Sequence, residues 1–417
     1  MSKPLLREIE PPAADVAVLA SNARRTPKKT SEIIERNSND LSKVLTAHHL
    51  QTYPPKAQKA FRSLQPGEAA SWLGIAEGYL RQLAIESTIG TANANGRRTF
   101  TIEDIDAIRA RLASQPGARR KYSPRRSSDE KVQVICVMNF KGGSGKTTTA
   151  AHLAEFFALS GYRTLTIDLD PQASLSSLFG LQPAKDVGAG DTILGVIQYN
   201  DVQRPMSEVV RSTYIPHLQI VPGNIELLEF EHETASALAN RTKGDTLFFD
   251  RVGRALGEVE QLYDIVVIDC PPSMGFLTVS ALTAATSLLI TVHPQMLDVM
   301  SMNQFLAMIA NLLKVVAKAG AADEIAWVNY LITRFEPGDG PQNQMAALLR
   351  SILGDQVLNH TVLKSTAISD AGLTNQTLYE VERSQFTRTT YDRALESVDA
   401  VNREIEALVH HTWSRVP

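Results

Sequence analysis

Lys141-Gly142-Gly143-Ser144-Gly145-Lys146-Thr147-Thr148 is the stretch that decides how this chain folds. It fits the phosphate-loop pattern G-x-x-x-x-G-K-[ST] only approximately, since a Gly-Gly pair replaces the single leading glycine and a lysine precedes the pair. Gly142, Gly143 and Gly145 allow backbone conformations closed to other residues, so several amide N–H groups can converge on one anion. Lys146 can reach the β and γ phosphates of a nucleotide, and the Thr147 hydroxyl is placed to ligate Mg²⁺. The apolar run 132–138 (VQVICVM) reads as a buried parallel strand leading into the loop. Residues 147–159 read as a helix stopping before Gly161, so its positive end faces the anion.

Two carboxylate motifs follow. Residues 164–167 read as a strand that delivers Asp168-Leu169-Asp170-Pro171-Gln172, and 265–268 as another that delivers Asp269-Cys270-Pro271-Pro272-Ser273. Open parallel sheets bind ligands at the carboxyl ends of their strands, where an acidic residue commonly holds the Mg²⁺ of a nucleoside triphosphate. One such aspartate could merely cap the next helix. Three motifs at one sheet edge favour a site.

KGGSGKTTTAAHLA, TIDLDPQAS and VVIDCPPS closely resemble the deviant Walker A ATPases of the ParA/MinD group, and the DPQ sequence places the resemblance on the DNA-partition side. The resemblance spans residues 132 to 408, with sharp motifs in its first half. It implies binding of ATP, ADP and Mg²⁺. It also implies that Lys141 crosses a homodimer interface to the partner's ATP, that Asp170 orients or activates the attacking water, and that Asp168 and Asp269 support Mg²⁺ through water.

Ahead of this region, residues 67–83 have the shape of a helix-turn-helix, with Ala70, Leu73, Ile75, Leu80 and Leu83 as shared core and Gly74 in the turn. The second helix would present Glu77, Tyr79, Arg81 and Gln82 to a DNA groove. Asn95-Gly96-Arg97-Arg98 suits a basic wing, and Thr101 opens a capped helix. The segment resembles the front part of large ParA proteins and of MerR-like regulators. A bare helical hairpin often mimics this pattern, so the DNA reading leans on its position.

The expected fold is α/β: a doubly wound, mostly parallel P-loop sheet preceded by a small, mainly helical winged helix-turn-helix domain. The expected divisions are an extension with an amphipathic helix at 1–60, the helix-turn-helix at 61–112, a basic flexible linker at 113–130 and the ATPase at 131–417. That first helix (31–52) could pair with its copy or pack on its own domain. The last third continues strand–helix alternation, with strands at 287–292, 327–333 and 357–363 and a closing helix at 392–413. Lys364 and Arg388 are further DNA-contact candidates, with Arg350 and Arg393 behind them.

Charge divides unevenly. Residues 1–130 carry 21 Lys/Arg against 14 Asp/Glu, whereas the remaining 287 carry 21 against 31. A basic front end suits a polyanion. No run of 18 apolar residues occurs, the start lacks a signal-peptide core, and the closing helix lacks the basic face of a membrane-targeting helix. Cys136 and Cys270 suggest packing in a reducing compartment. His152 and His293 have no metal-ligand spacing. The resulting expectation is a cytoplasmic, nucleoid-associated plasmid-partition ATPase of the RepA class of RepABC plasmids. A ParB- or RepB-like centromere-binding partner would stimulate it, it would bind DNA non-specifically with ATP, and the helix-turn-helix would repress its own operon. A regulator whose ATPase merely sets its dimer state is the alternative, and a MinD-like membrane cycle the weaker one.

Overall fold

The computed structural model describes residues 29–52, 59–92, 98–200, 202–240, 246–321 and 324–415, with side chains of the first helix described through Val44. The chain divides into two units, residues 1–58 and 59–417. The first contains helix α1 (Thr30–Thr52), on which Ile34, Leu41 and Val44 are exposed.

The second unit opens with α2 (Pro66–Leu73) and α3 (Glu77–Ser87), then a two-stranded antiparallel ribbon, β1 (Thr91–Ala92) and β2 (Arg98–Thr99), and α4 (Ile102–Ala113). Local chemistry sets the boundaries. Gln65 and Glu68 form a capping box around Pro66, and α2 ends at Gly74, whose φ of 62° is left-handed. A second box, Thr101 with Asp104, starts α4. Leu73, Leu80, Leu83, Phe100, Ile105, Ile108 and Leu112 are buried together as this subdomain's core.

The expected hinge at 113–130 is instead tied down. It carries a short helix, α5 (Arg119–Tyr122). Arg126 then donates to the carbonyls of Tyr263 at 2.8 Å, Glu130 at 2.8 Å and Glu260 at 2.7 Å. Its basic charge is partly spent on backbone.

Beyond it lies a seven-stranded sheet in the order β5-β6-β4-β7-β3-β8-β9. The strands are β3 (Gln133–Met138), β4 (Thr164–Asp168), β5 (Arg211–Ser212), β6 (Leu218–Val221), β7 (Ile265–Asp269), β8 (Ser287–Val292) and β9 (Trp327–Ile332). All neighbours pair in parallel except β5 with β6. Successive side chains point to opposite faces, so Val134, Cys136 and Met138 join one core, while Ile135 and Val137 join the other. Both faces are covered, which is why these strands read as unbroken apolar runs.

Helix α6 (Lys146–Ser160) follows the loop and is buried on nearly every side, consistent with apolar residues all round it. The front subdomain packs on its outer flank. The Trp72 ring lies 5.7 Å from that of Phe156 and 5.6 Å from that of Tyr379, and Arg109 donates to the Leu159 carbonyl at 2.7 Å.

One expected strand is absent as such. Residues 357–363 form only isolated bridges, Val357 with Tyr330 of β9 and Leu363 with Phe335 just beyond it. Between them the amides of Asn359 and His360 donate to Glu404 at 2.7 and 2.9 Å, which draws the backbone off the sheet edge toward the closing helix Arg388–Thr412.

Candidate nucleotide site

Gly143 and Gly145 take φ of 75° and 85°, the left-handed turns that let the chain bend over an anion and enter α6. The loop is pinned from neighbouring strand ends. Thr291 donates to the Ser144 hydroxyl at 3.0 Å, Thr333 to the Ser144 carbonyl at 2.7 Å and Arg334 to the Gly143 carbonyl at 3.2 Å. Thr333 lies 3.5 Å from where a Cβ on Gly145 would stand. Arg334 is itself left-handed, with φ of 53°, a strained conformation for a side-chain-bearing residue.

Lys146 is almost wholly buried and donates to the Lys141 carbonyl at 3.3 Å. Burial pushes its pKa down, against the pull of Asp269 and Asp170. Asp168 and Asp269 end the paired strands β4 and β7 side by side, both fully buried. Burial lifts both carboxyls. Asp168 is pushed up to about 6 although Ser176 and the Asp170 amide hydrogen-bond to it. Asp269 is raised well above the carboxylate range by burial and by Asp168, opposed by the Thr147 hydroxyl and Lys146.

The two carboxylates differ in what they touch. Asp168 accepts from the Ser176 hydroxyl at 2.7 Å, the Ser176 amide at 2.8 Å and the Asp170 amide at 3.2 Å. No group makes a well-formed hydrogen bond to either oxygen of Asp269, the Thr147 hydroxyl being close enough only to favour its charge. A buried carboxylate left in this condition, beside Thr147 and Lys146, fits a hydrated cation carried by a nucleotide. Among the described residues no three His, Cys, Asp or Glu side chains could hold a metal by themselves, so the phosphates would have to complete its shell. Asp170 is partly exposed and accepts from the Gln172 amide at 2.9 Å.

Sequence reasoning missed several supports of the loop and its carboxylates: Ser176, Thr291, Thr333 and Arg334. Gly223 is another, since a Cβ there would fall 2.9 Å from the Asp168 Cγ. It also missed Asp298, the partner of Lys141, with which that lysine is ion-paired at 2.7 Å. The sulfurs of Cys136 and Cys270 lie 3.1 Å apart, buried and unbridged. His152 bonds the Thr148 carbonyl through Nδ1 at 2.7 Å and accepts the Leu378 amide on Nε2 at 3.1 Å, so it is a packed neutral imidazole whose pKa burial lowers.

A family model described as an AAA domain matches residues 132–319. A protein from Rhizobium rhizogenes, provisionally named replication protein A, is 58% identical over 385 residues, covering 92% of this chain and 95% of that one. Protein SopA of Escherichia coli strain K12 is 26% identical over 386 residues, 90% of this chain and 96% of its own. The chain belongs to the ParA- and RepA-like family of partition ATPases. A solved structure named Partition Protein shares the fold with a TM-score of 0.63 at 17% identity, covering 91% of this chain and 99% of its own.

Against that family background the nucleic-acid candidates divide by what they already touch. Tyr79, Arg81 and Gln82 are exposed on α3, Arg81 paired with Glu77 and Gln82 bonded to Glu86 at 2.9 Å. Arg98 is half-buried and donates to the carbonyls of Ile89 at 2.7 Å and Gly90 at 3.2 Å, closing the foot of the ribbon. Arg97 lies outside the described residues. Lys364 pairs with Glu336 at 2.9 Å, and Arg350 donates to the Leu358 carbonyl at 2.8 Å. Arg388 stands exposed at the start of the closing helix, 3.9 Å from Asp392. Among the described residues one helix, Met296–Lys318, is long and apolar enough to cross a membrane; its buried Met302, Phe305, Ile309 and Val316 seat it on the protein.

Proposed function

We propose that this chain is a plasmid-partition ATPase that dimerises around ATP, binds DNA in that state and is reset by hydrolysis. One observation carries the reading: the Asp269 carboxylate, fully buried without a well-formed hydrogen bond beside Lys146 and Thr147 under a lysine-bearing phosphate loop. The family supplies the class of reaction, and the local chemistry supplies the roles.

The left-handed loop and the start of α6 present amides to the α and β phosphates. Lys146 neutralises charge on the β and γ groups as it builds up. Thr147, with Asp269 and Asp168 behind it, would hold Mg²⁺, which supplies further neutralisation of the phosphate oxygens when bound. Asp170 orients the attacking water and accepts its proton. The new bond joins water oxygen to the γ phosphorus, and the bond to the β–γ bridging oxygen breaks as ADP leaves.

Lys141 reaches the partner's nucleotide, so ATP joins two copies and its loss releases them. The front subdomain acts as a winged helix-turn-helix that reads an operator through α3, with Arg97 and Arg98 as further contact candidates, and the ATP dimer contacts DNA without sequence preference through basic residues such as Lys364 and Arg388. A ParB- or RepB-like centromere-binding protein would stimulate turnover, and operator binding would make the chain its own repressor. These roles place it in the cytoplasm, on the nucleoid. Residues 1–60, 61–112, 113–130 and 131–417 are then the extension, reader, connector and motor.

Lys141→Ala tests the reading directly. It should bind ATP with affinity close to the parent yet stay monomeric by light scattering. An alanine variant that dimerises with ATP as the parent does would overturn the face-to-face assignment.

A further inference from the structure

Lys141 is the residue asked to act on a partner, yet in this structure it is already engaged at home. Its ammonium lies 2.7 Å from Asp298 Oδ2. Asp298 sits in the first turn of the helix Met296–Lys318 and is almost fully buried, whereas the Lys141 side chain is 39% exposed. The ion pair thus has one buried member and one member open to competition from outside.

The surrounding contacts keep that pair in register. The Lys141 amide donates to Asn139 Oδ1 at 3.1 Å, and Asn139 in turn donates to the Thr291 carbonyl. The neighbouring Phe140 ring stacks on Phe305 of the same helix at 6.3 Å. Beside it, Met296, Leu297 and Met300 are exposed in the helix's first turns, and Phe140 is also partly exposed. Loop and helix thus hold the lysine from two sides and present an apolar rim next to it, a surface suited to another copy of the same face.

We propose that Asp298 is a latch: it retains Lys141 within its own subunit until a second copy bearing a nucleoside triphosphate outcompetes it. The proposal rests on the dimer reading above and adds its threshold. An ammonium can leave one carboxylate for a terminal phosphate carrying more charge, whereas a diphosphate that ends one phosphate short offers less. The latch therefore penalises assembly around ADP more than around ATP. Two latches open per dimer, so their effects multiply.

The test uses the full chain, a non-hydrolysable ATP analogue with Mg²⁺, and light scattering to find the analogue concentration at half-dimerisation. Asp298→Asn and Asp298→Ser remove the charge while keeping a hydrogen-bonding side chain in the helix's first turn. Each latch being a partly exposed ion pair, the two together should lower the threshold by about tenfold, and ADP should begin to support dimers. Binding of a fluorescent ADP to dilute monomer, and the melting temperature, should stay at parental values. Asp298→Glu, which keeps the charge, should stay near the parental threshold. Neutral variants that melt normally but dimerise at the parental threshold, or only above it, would overturn the latch. A parent chain that binds the analogue and remains monomeric would sink the dimer reading itself, and the latch with it.

Discussion

Lys146 and Asp269 are buried ionisable groups whose phosphate and cation partners belong to a ligand, and burial disfavours the charged form of each until the ligand arrives. Lys146→Ala should weaken ATP binding by about 10- to 100-fold, the worth of a charged hydrogen bond, in a fluorescent-nucleotide titration. Asp170→Ala should bind within about twofold of the parent and lose about 100-fold or more in turnover, because it removes only the water's partner. Asp170→Ala hydrolysing at the parental rate would refute that role. A pH dependence follows from the raised carboxyls. A carboxyl with its pKa raised to about 6 is neutral below that pH and no longer attracts a cation. Mg²⁺-dependent nucleotide affinity should therefore fall as pH drops from 7.5 to 5.5, while affinity measured in EDTA should change far less. What the sequence revealed here was contiguous: Lys141 to Thr148 and the two strand-end aspartates lie in short motifs. Asp298, Thr333 and Arg334 reach the loop from 157, 189 and 191 residues away, and no local pattern could announce them.

Among the elements, helix boundaries were legible wherever a cap fixed them. Gly74 between α2 and α3, Thr101 before α4 and Gly161 after α6 each stand where the residue type demanded. Failure came where tertiary contacts overrode an apolar run. Val357 to Leu363 has strand-like composition, but Glu404 captures its central amides. Leu218 to Val221 was too short to separate from its surroundings, yet it pairs with β4 beside the site. The α3 surface yields a prediction of its own. Arg81 is exposed and held only by Glu77 on the same helix, so Arg81→Ala should leave folding unchanged. It should cost about 1–3 kcal/mol in operator affinity by footprinting while leaving ATP-dependent binding to random duplex intact. Loss of both kinds of binding would instead place Arg81 on a general phosphate surface. Trp72→Ala is the contrasting case, since its ring packs on Phe156 and Tyr379. It should destabilise the chain by about 2–4 kcal/mol in urea without touching the nucleotide loop.

At the scale of the molecule, a basic front and an acidic remainder are joined by a connector in which Arg125 and Arg126 donate to carbonyls. The connector's composition looks like that of a free hinge because serine, proline and arginine rarely build a core. Two of the carbonyls it meets belong to Glu260 and Tyr263, more than 130 residues along the chain. The front subdomain therefore rides on α6, the same helix whose start forms the phosphate site, and a nucleotide can influence both. In the function proposed above, ATP gates attachment to DNA. The most direct measurement is binding to a random-sequence duplex with ATP, with ADP and without nucleotide, at one fixed salt concentration. Tight binding is expected with ATP alone. Equal binding in all three conditions would contradict it and leave the ATPase as a control on a sequence-specific regulator.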